Sequence, residues 1–189
     1  MTQETAQKKP AAVQRDARIV KAAEALFLQH GLRGTTMEAI ARQAGVAKPT
    51  LYSYYPDKET VFQAVVAQVN LRLQAAILEA MDRAAPGAGM VAQVLITKYG
   101  VLRELLEGSA HAQDLTEAKY TWAKGEAEDL HSWVLQTLAD RLRQSGDVDL
   151  IDRLPMVLAA VNGVATLEGA PDDLATQISF VTDRLLARA

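Results

Sequence analysis

The sequence predicts an all-α protein, and three observations carry that prediction. Alanine and leucine dominate an apolar fraction of 49%, while aromatic residues supply only 5%, and both alanine and leucine are strong helix formers. Apolar positions recur at spacings of three and four, as in Ile19, Ala23, Leu26, Phe27 and His30, which aligns them along one helical face. No segment sustains the Val, Ile or Thr alternation of a strand. At 189 residues the chain has room for one ordinary domain, or for a small domain joined to a medium one.

The elements follow in order. Residues 1–12, MTQETAQKKPAA, are polar and read as a disordered tail. A first helix runs from about Val13 to His30, and Gly31 suits its end because glycine tolerates the left-handed conformation. Thr36 is a good N-cap for a second helix, with Met37, Ile40, Ala41 and Ala44 on its buried face. Gly45 supplies a tight turn and Val46 fills the gap before a third helix, Ala47 to Tyr54, in which Leu51 and then Tyr55 turn inward. Asp57 can cap a fourth helix that reaches about Arg83, with Phe62, Val65, Val66, Val69, Leu73 and Ile77 on its buried side. The run from Ala84 to Gly89 is a clear breaker. A helix from Met90 to Glu107 follows, then a weaker break at Gly108 to His111. One long helix is expected from Asp114 to Gln144, loosened if anywhere at Gly125. The next starts near Asp152, which places Pro155 in the first turn where its missing N–H does least harm, and ends near Glu168 and Gly169. Ala170 to Asp173 form a short loop before a last helix carrying Leu174, Ile178, Val181 and Leu185. About nine helices are expected in all.

Composition excludes several functions. The chain has no cysteine, so disulfides, thiolate metal sites and cysteine nucleophiles are ruled out. His30, His111 and His131 are dispersed and show no metal-ligand spacing. There is no glycine-rich phosphate loop, no Gly-x-Ser-x-Gly elbow and no His-Glu-x-x-His. Glu126, Glu128 and Asp129 read as a solvated face, so no catalytic residue, metal or cofactor is expected. The N-terminus lacks a signal-peptide core, and no apolar run approaches membrane-spanning length, which makes the cytoplasm the expected location. The net charge of −3 hides an asymmetry: residues 1–66 hold nine basic and six acidic groups, and residues 67–189 hold eleven and seventeen. A mildly basic head precedes an acidic body.

The stretch Thr36 to Tyr55, TMEAIARQAGVAKPTLYSYY, is the most telling. Two short helices flank a glycine turn, and the second is too polar and too rich in tyrosine for a core helix. That is the pattern of a helix-turn-helix, whose second helix enters the major groove of DNA. Such a face needs donors and flat or methyl-bearing side chains. Lys48, Pro49, Thr50, Tyr52, Ser53 and Tyr54 supply them. Lysine can donate to guanine O6 and N7 or to phosphate, threonine and proline carbons can meet thymine methyls, and the hydroxyls can reach phosphates or base edges.

From Arg18 to Val66 the chain resembles the N-terminal domain of the TetR (tetracycline-repressor-type) family of transcriptional regulators. The shared features are the Gly-x-x-x-Thr-Thr entry, the Ile-Ala…Ala-Gly-Val turn, the Thr-Leu-Tyr-x-Tyr-Tyr helix and the Pro-x-Lys-Glu that opens the fourth helix. The resemblance implies that Thr36 caps the second helix and touches a phosphate, that Lys48, Thr50, Tyr52 and Tyr54 line the DNA face, and that Lys58 binds a phosphate. Ala47 departs from the family pattern, which has a polar cap there; a missing cap costs about 1 kcal/mol. The domains would be a helix-turn-helix domain at 13–60, with its recognition motif at 36–55, and a helical regulatory and dimerisation domain at 61–189.

The remaining two thirds carries no comparable motif. There the resemblance implies a homodimer joined through the last two helices and a small-molecule pocket in the bundle. Dimer candidates are Val157, Val161 and Val164 with the stripe Leu174, Ile178, Val181 and Leu185, which serves equally well as ordinary core. Pocket candidates are Leu73, Ile77, Tyr99, Leu102, Trp122 and Glu126, an apolar lining with a few polar anchors; for any one of them, plain core remains the alternative. The expected function is a repressor that binds a palindromic operator on double-stranded DNA as a dimer and is released by a small-molecule effector. The alternative is a DNA-binding dimer that acts as an activator or answers to a protein partner.

Overall fold

The computed structural model describes residues 10–166 and 173–187. Among these residues there are nine α-helices and no strand: α1 (Pro10–Gly34), α2 (Met37–Ala44), α3 (Lys48–Tyr54), α4 (Lys58–Arg83), α5 (Ala88–Leu106), α6 (Ala112–Trp122), α7 (Lys124–Ser145), α8 (Leu154–Thr166) and α9 (Leu174–Leu186), with a 3-10 segment (Val148–Arg153) ahead of α8. The all-α expectation holds. Most of the expected tail, the end of α8 near Glu168 and most of the loop before Asp173 lie outside the described residues.

The chain forms two compact units, one from residues up to Val69 together with Gly108–Ala127, the other from Asn70–Glu107 and from Glu128 onward. In the first unit α1 begins at Pro10, three residues earlier than the sequence suggested, so residues 10–12 are helical rather than part of a tail. A proline in the first turn sacrifices no intrahelical bond. Gly31 interrupts the helix with φ 67 and ψ 177, and a short turn carries on to Gly34. Ile19, Ala23 and Phe27 of α1, Ile40 of α2, Leu51 of α3 and Val61 and Phe62 of α4 are all buried and form the centre of this unit. α1 packs on α2 and on α6. The Phe62 ring stands edge-on to Phe27, with centroids 5.6 Å apart, and to Trp122 of α6 at 6.2 Å. The Ser109 hydroxyl, just ahead of α6, donates to the Leu28 carbonyl at 2.7 Å.

The single helix expected over 114–144 is two helices. The chain breaks at Ala123 (φ −126, ψ 39), not at Gly125. Alanine favours helix, so the cause is tertiary: the Gln63 side-chain amide donates to the Trp122 carbonyl at 2.8 Å, and Ala123 is buried. α4 corrects a second expectation. By length and composition it is apolar enough to cross a membrane. Val61, Phe62, Val65, Val66, Val69, Leu73, Ile77 and Met81 on one side of it are buried in protein, however, while Leu71 and Leu78 are exposed, which is the character of a one-sided core helix.

In the second unit α9 packs against α5 and α8, and α5 against α8. Leu73 and Ile77 of α4, Met90, Val94 and Leu95 of α5, Leu138 and Leu142 of α7 and Val157 and Val161 of α8 make its core. Pro155 sits in the first turn of α8, as expected. The Asp173 carboxylate caps α9 by accepting from the Thr176 N–H at 3.2 Å. Arg153 donates to the Ala187 carbonyl at 2.9 Å and ties down the end of α9.

This packing corrects the dimer stripe. Val157, Val161, Leu174 and Ile178 are buried within one chain, because α5, α8 and α9 use those faces to pack on one another. Val164, Val181 and Leu185 are half-buried. The large apolar side chains that α8 and α9 leave exposed are Met156 and Phe180.

Thr182 of α9 is fully buried, and its hydroxyl finds no partner among the described residues. A buried donor left unpaired is destabilising, and an apolar group of the same shape removes that penalty. Thr182→Val is therefore expected to raise stability by about 1 kcal/mol, read as a higher urea midpoint at unchanged slope. A lower midpoint would show that the hydroxyl is satisfied in solution.

Candidate nucleic-acid interface

Local chemistry sets the angle between α2 and α3. The Ala39 N–H donates to the Thr36 hydroxyl oxygen at 3.1 Å, so Thr36 caps α2 as its sequence position implies. Gly45 closes α2 in the left-handed conformation (φ 64, ψ 40), and its N–H returns to the helix carbonyls. Ala47 stands at the N-cap of α3 without a side-chain bond, and Pro49 follows in the first turn. Leu51, with no exposed surface, pins α3 to the core. Asp57 caps α4 through the Thr60 N–H at 2.8 Å.

With Leu51 inward, the opposite face of α3 lies open. Lys48, Pro49, Tyr52 and Ser53 are exposed and Thr50 is half-buried. The Ser53 hydroxyl donates back to the Thr50 carbonyl at 2.7 Å. Tyr54 differs from the other tyrosines of the motif: it is half-buried and its hydroxyl points to the Ala12 carbonyl at 3.4 Å. Tyr55 turns inward, and its hydroxyl donates to the Asp16 carboxylate at 2.7 Å. Burial first, and then that carboxylate, hold the Tyr55 phenol above its ordinary range, so it stays protonated. Both tyrosines thereby brace α3 on α1.

Lys58 also has a structural task. Its ammonium donates to the Leu32 carbonyl and, at 3.0 Å, to the Thr35 carbonyl. It closes the corner between α1 and α2, leaving one of its three protons for a further acceptor. Nearby Thr35 is buried, and its hydroxyl donates to the Gly31 carbonyl at 2.7 Å.

Glu38 is a member of this surface that the motif did not reveal. It pairs with Lys48, and each side chain is 55% exposed. The hydrogen bond to Lys48 is the main cause that holds the Glu38 carboxyl below its ordinary range and the Lys48 ammonium above its own. A clue in the sequence is its place in the first turn of α2, off the buried face of Met37, Ile40, Ala41 and Ala44.

Residues 19–65 match the model of bacterial regulatory proteins of the tetR family. That segment is similar to the DNA-binding region of the tetR family. Among curated relatives, the HTH-type transcriptional regulator RutR of Escherichia coli (strain K12) is 45% identical over 51 residues, 27% of this chain and 24% of RutR. The uncharacterized HTH-type transcriptional regulator YhgD of Bacillus subtilis (strain 168) is 31% identical over 74 residues, 39% of each chain. The chain thus spans well under half the length of either relative. Among solved structures, the transcriptional regulator FadR from Bacillus subtilis, in complex with stearoyl-CoA, superposes with a TM-score of 0.67 at 18% identity, over 90% of this chain and 97% of that one. Relatives and fold are those of transcriptional regulators, not enzymes.

The effector candidates are divided between the units. Leu73, Ile77, Tyr99 and Leu102 belong to the second, Trp122 and Glu126 to the first. Leu73, Ile77 and Tyr99 are buried, whereas Leu102, Trp122 and Glu126 are half-buried.

Proposed function

We propose that this chain is a cytoplasmic transcriptional repressor that grips a palindromic operator with α3 of each half of a homodimer and is released by a small-molecule effector. The observation that carries the DNA reading is the split character of α3: Leu51 has no exposed surface, while Lys48, Pro49, Tyr52 and Ser53 face solvent. A short helix with one anchoring side chain and a polar outer face is what a major groove admits. In a dimer suited to this task the two α3 helices stand about 34–36 Å apart, one turn of B-DNA.

The test starts with selection of bound duplexes from a randomised library by the full chain. Tyr52→Ala should then weaken binding to the selected duplex by about 1–3 kcal/mol, the scale of one good contact, with the helical circular dichroism unchanged. Unaltered affinity would remove Tyr52, and with it the outer face of α3, from the interface.

Supporting the dimer reading, Met156 and Phe180 leave apolar surface on α8 and α9. The Arg184 guanidinium lies 5.3 Å from the Phe180 ring centre. Phe180→Asp should turn a dimer into monomers in sedimentation, because a carboxylate at a buried seam is left unpaired. A variant that still sediments as a tight dimer places the seam elsewhere.

Supporting the effector reading, the second unit holds polar groups among its apolar side chains. The Tyr99 hydroxyl donates to Asn162 at 3.0 Å, and the Lys98 ammonium lies 4.7 Å from the Tyr99 ring centre. FadR, which shares this fold, was solved with stearoyl-CoA. An effector releases DNA only by binding the DNA-incompetent state more tightly, with a typical coupling of about 1–3 kcal/mol.

A further inference from the structure

Glu38 stands in the first turn of α2 and accepts a hydrogen bond from the Lys48 ammonium in the first turn of α3. The same ammonium lies 5.9 Å from the centre of the Tyr52 ring. The cation that the recognition helix offers is therefore held between a carboxylate and an aromatic face. An exposed ion pair of this kind adds little to stability, and α2 already has Thr36 as its cap. Next to a polyanion, moreover, a carboxylate repels. The helix dipole favours an acid in this first turn, but that gain does not require the carboxylate to hold Lys48.

We propose that Glu38 is a specificity-determining residue: by holding Lys48 it withholds that cation from the phosphates of unselected DNA and presents it to a base edge. The inference rests on α3 as the DNA-facing helix. Sequence-independent binding is driven by cations that reach phosphates and release condensed counterions. While Lys48 stays on Glu38 the pair is neutral and has no net charge with which to release a counterion, so a full phosphate contact requires Lys48 to leave and the carboxylate to stand unpaired against the backbone. A guanine O6 and N7 edge asks for less, since an ammonium has three donors and can keep one on Glu38 while it donates to the base. The pair thus disfavours phosphate contact and leaves base contact open.

The test uses the full-length protein, a duplex selected from a randomised library by the unaltered chain, and a scrambled duplex of the same length and composition. Glu38→Gln frees Lys48. Affinity for the scrambled duplex should rise about eightfold at about 0.1 M salt, and the plot of log affinity against log salt should steepen by about 0.9, the signature of one more phosphate contact. Affinity for the selected duplex should rise by less than about twofold, so that the discrimination ratio falls. The double variant Glu38→Gln/Lys48→Gln keeps the net charge of the surface; it should bind scrambled DNA as the unaltered chain does and the selected duplex at least about fivefold more weakly, a typical cost of one lost base contact. Three results would overturn the proposal. One is an unchanged scrambled affinity and salt slope in Glu38→Gln. Another is an equal gain on both duplexes, a general charge effect. The third is a loss confined to the selected duplex in Glu38→Gln, which would make the carboxylate itself the base contact. If Glu38→Gln fails to fold by circular dichroism, the double variant decides alone: weakened binding to scrambled DNA with a shallower salt slope shows Lys48 already on phosphates. Failure of the underlying DNA reading looks different, because Tyr52→Ala would then leave binding to the selected duplex intact.

Discussion

Gly31→Ala is expected to cost the folded state about 2–4 kcal/mol, from two separable sources. The backbone there has φ 67 and ψ 177, a region that is nearly glycine's alone, and a side chain held in it is strained by about 1–3 kcal/mol. A Cβ at this position would also lie 2.8 Å from His111 Nδ1 and 2.9 Å from its Cγ, well inside contact distance, so the imidazole must shift. The damage reaches α2 and α3. The Gly31 carbonyl accepts from the Thr35 hydroxyl, and the Lys58 ammonium clamps the next carbonyls, Leu32 and Thr35, ahead of α2. Urea unfolding of Gly31→Ala measures the total. Adding His111→Ala in the same chain removes the clash and should recover about 1 kcal/mol while the backbone share remains. Full recovery would mean the backbone is not strained at Gly31; stability unchanged in Gly31→Ala would dismiss both sources.

The recognition motif was legible because its signals are local. A threonine cap, a turn glycine and a buried leucine amid exposed polar residues each act within a few positions, and Thr36, Gly45 and Leu51 take the places their chemistry assigns. Tertiary partners decided what the sequence missed. The break at Ala123 depends on Gln63, sixty residues earlier, whose amide meets the Trp122 carbonyl. The stripe Leu174 and Ile178 has the period of an amphipathic helix, but periodicity says only that a face is buried and not by what. Here α5 and α8 cover it within the chain. Lys58 carries the same ambiguity, since an ammonium suited to a phosphate is equally suited to the two carbonyls it meets. Glu38 was invisible for a related reason: an acid in a helix's first turn is ordinary, and only the fold brings Lys48 to it, ten positions on.

Phe62→Ala should cost the first unit about 3–5 kcal/mol. Phe62 is buried and stands edge-on to both Phe27 and Trp122. Truncation leaves a cavity where α1, α4 and α6 meet, and it removes two aromatic pairs worth about 0.5–1.5 kcal/mol each. The loss falls on the attachment of α6, whose other ties include the Gln63 amide on Trp122 and the Ser109 hydroxyl on Leu28. Trp122 reports that attachment directly. In a Trp133→Phe background its emission should shift to the red in Phe62→Ala, as water reaches an indole that is half-buried in the intact chain. Phe62→Leu separates volume from ring geometry. It fills much of the cavity without the edge-on contacts, so it should lose about 1–3 kcal/mol, the two pairs' share, with little spectral shift. If Phe62→Leu proves as damaging as Phe62→Ala, the aromatic pairs rather than the filled volume hold α6 in place; if Phe62→Ala unfolds at the same urea concentration as the unaltered chain, neither does.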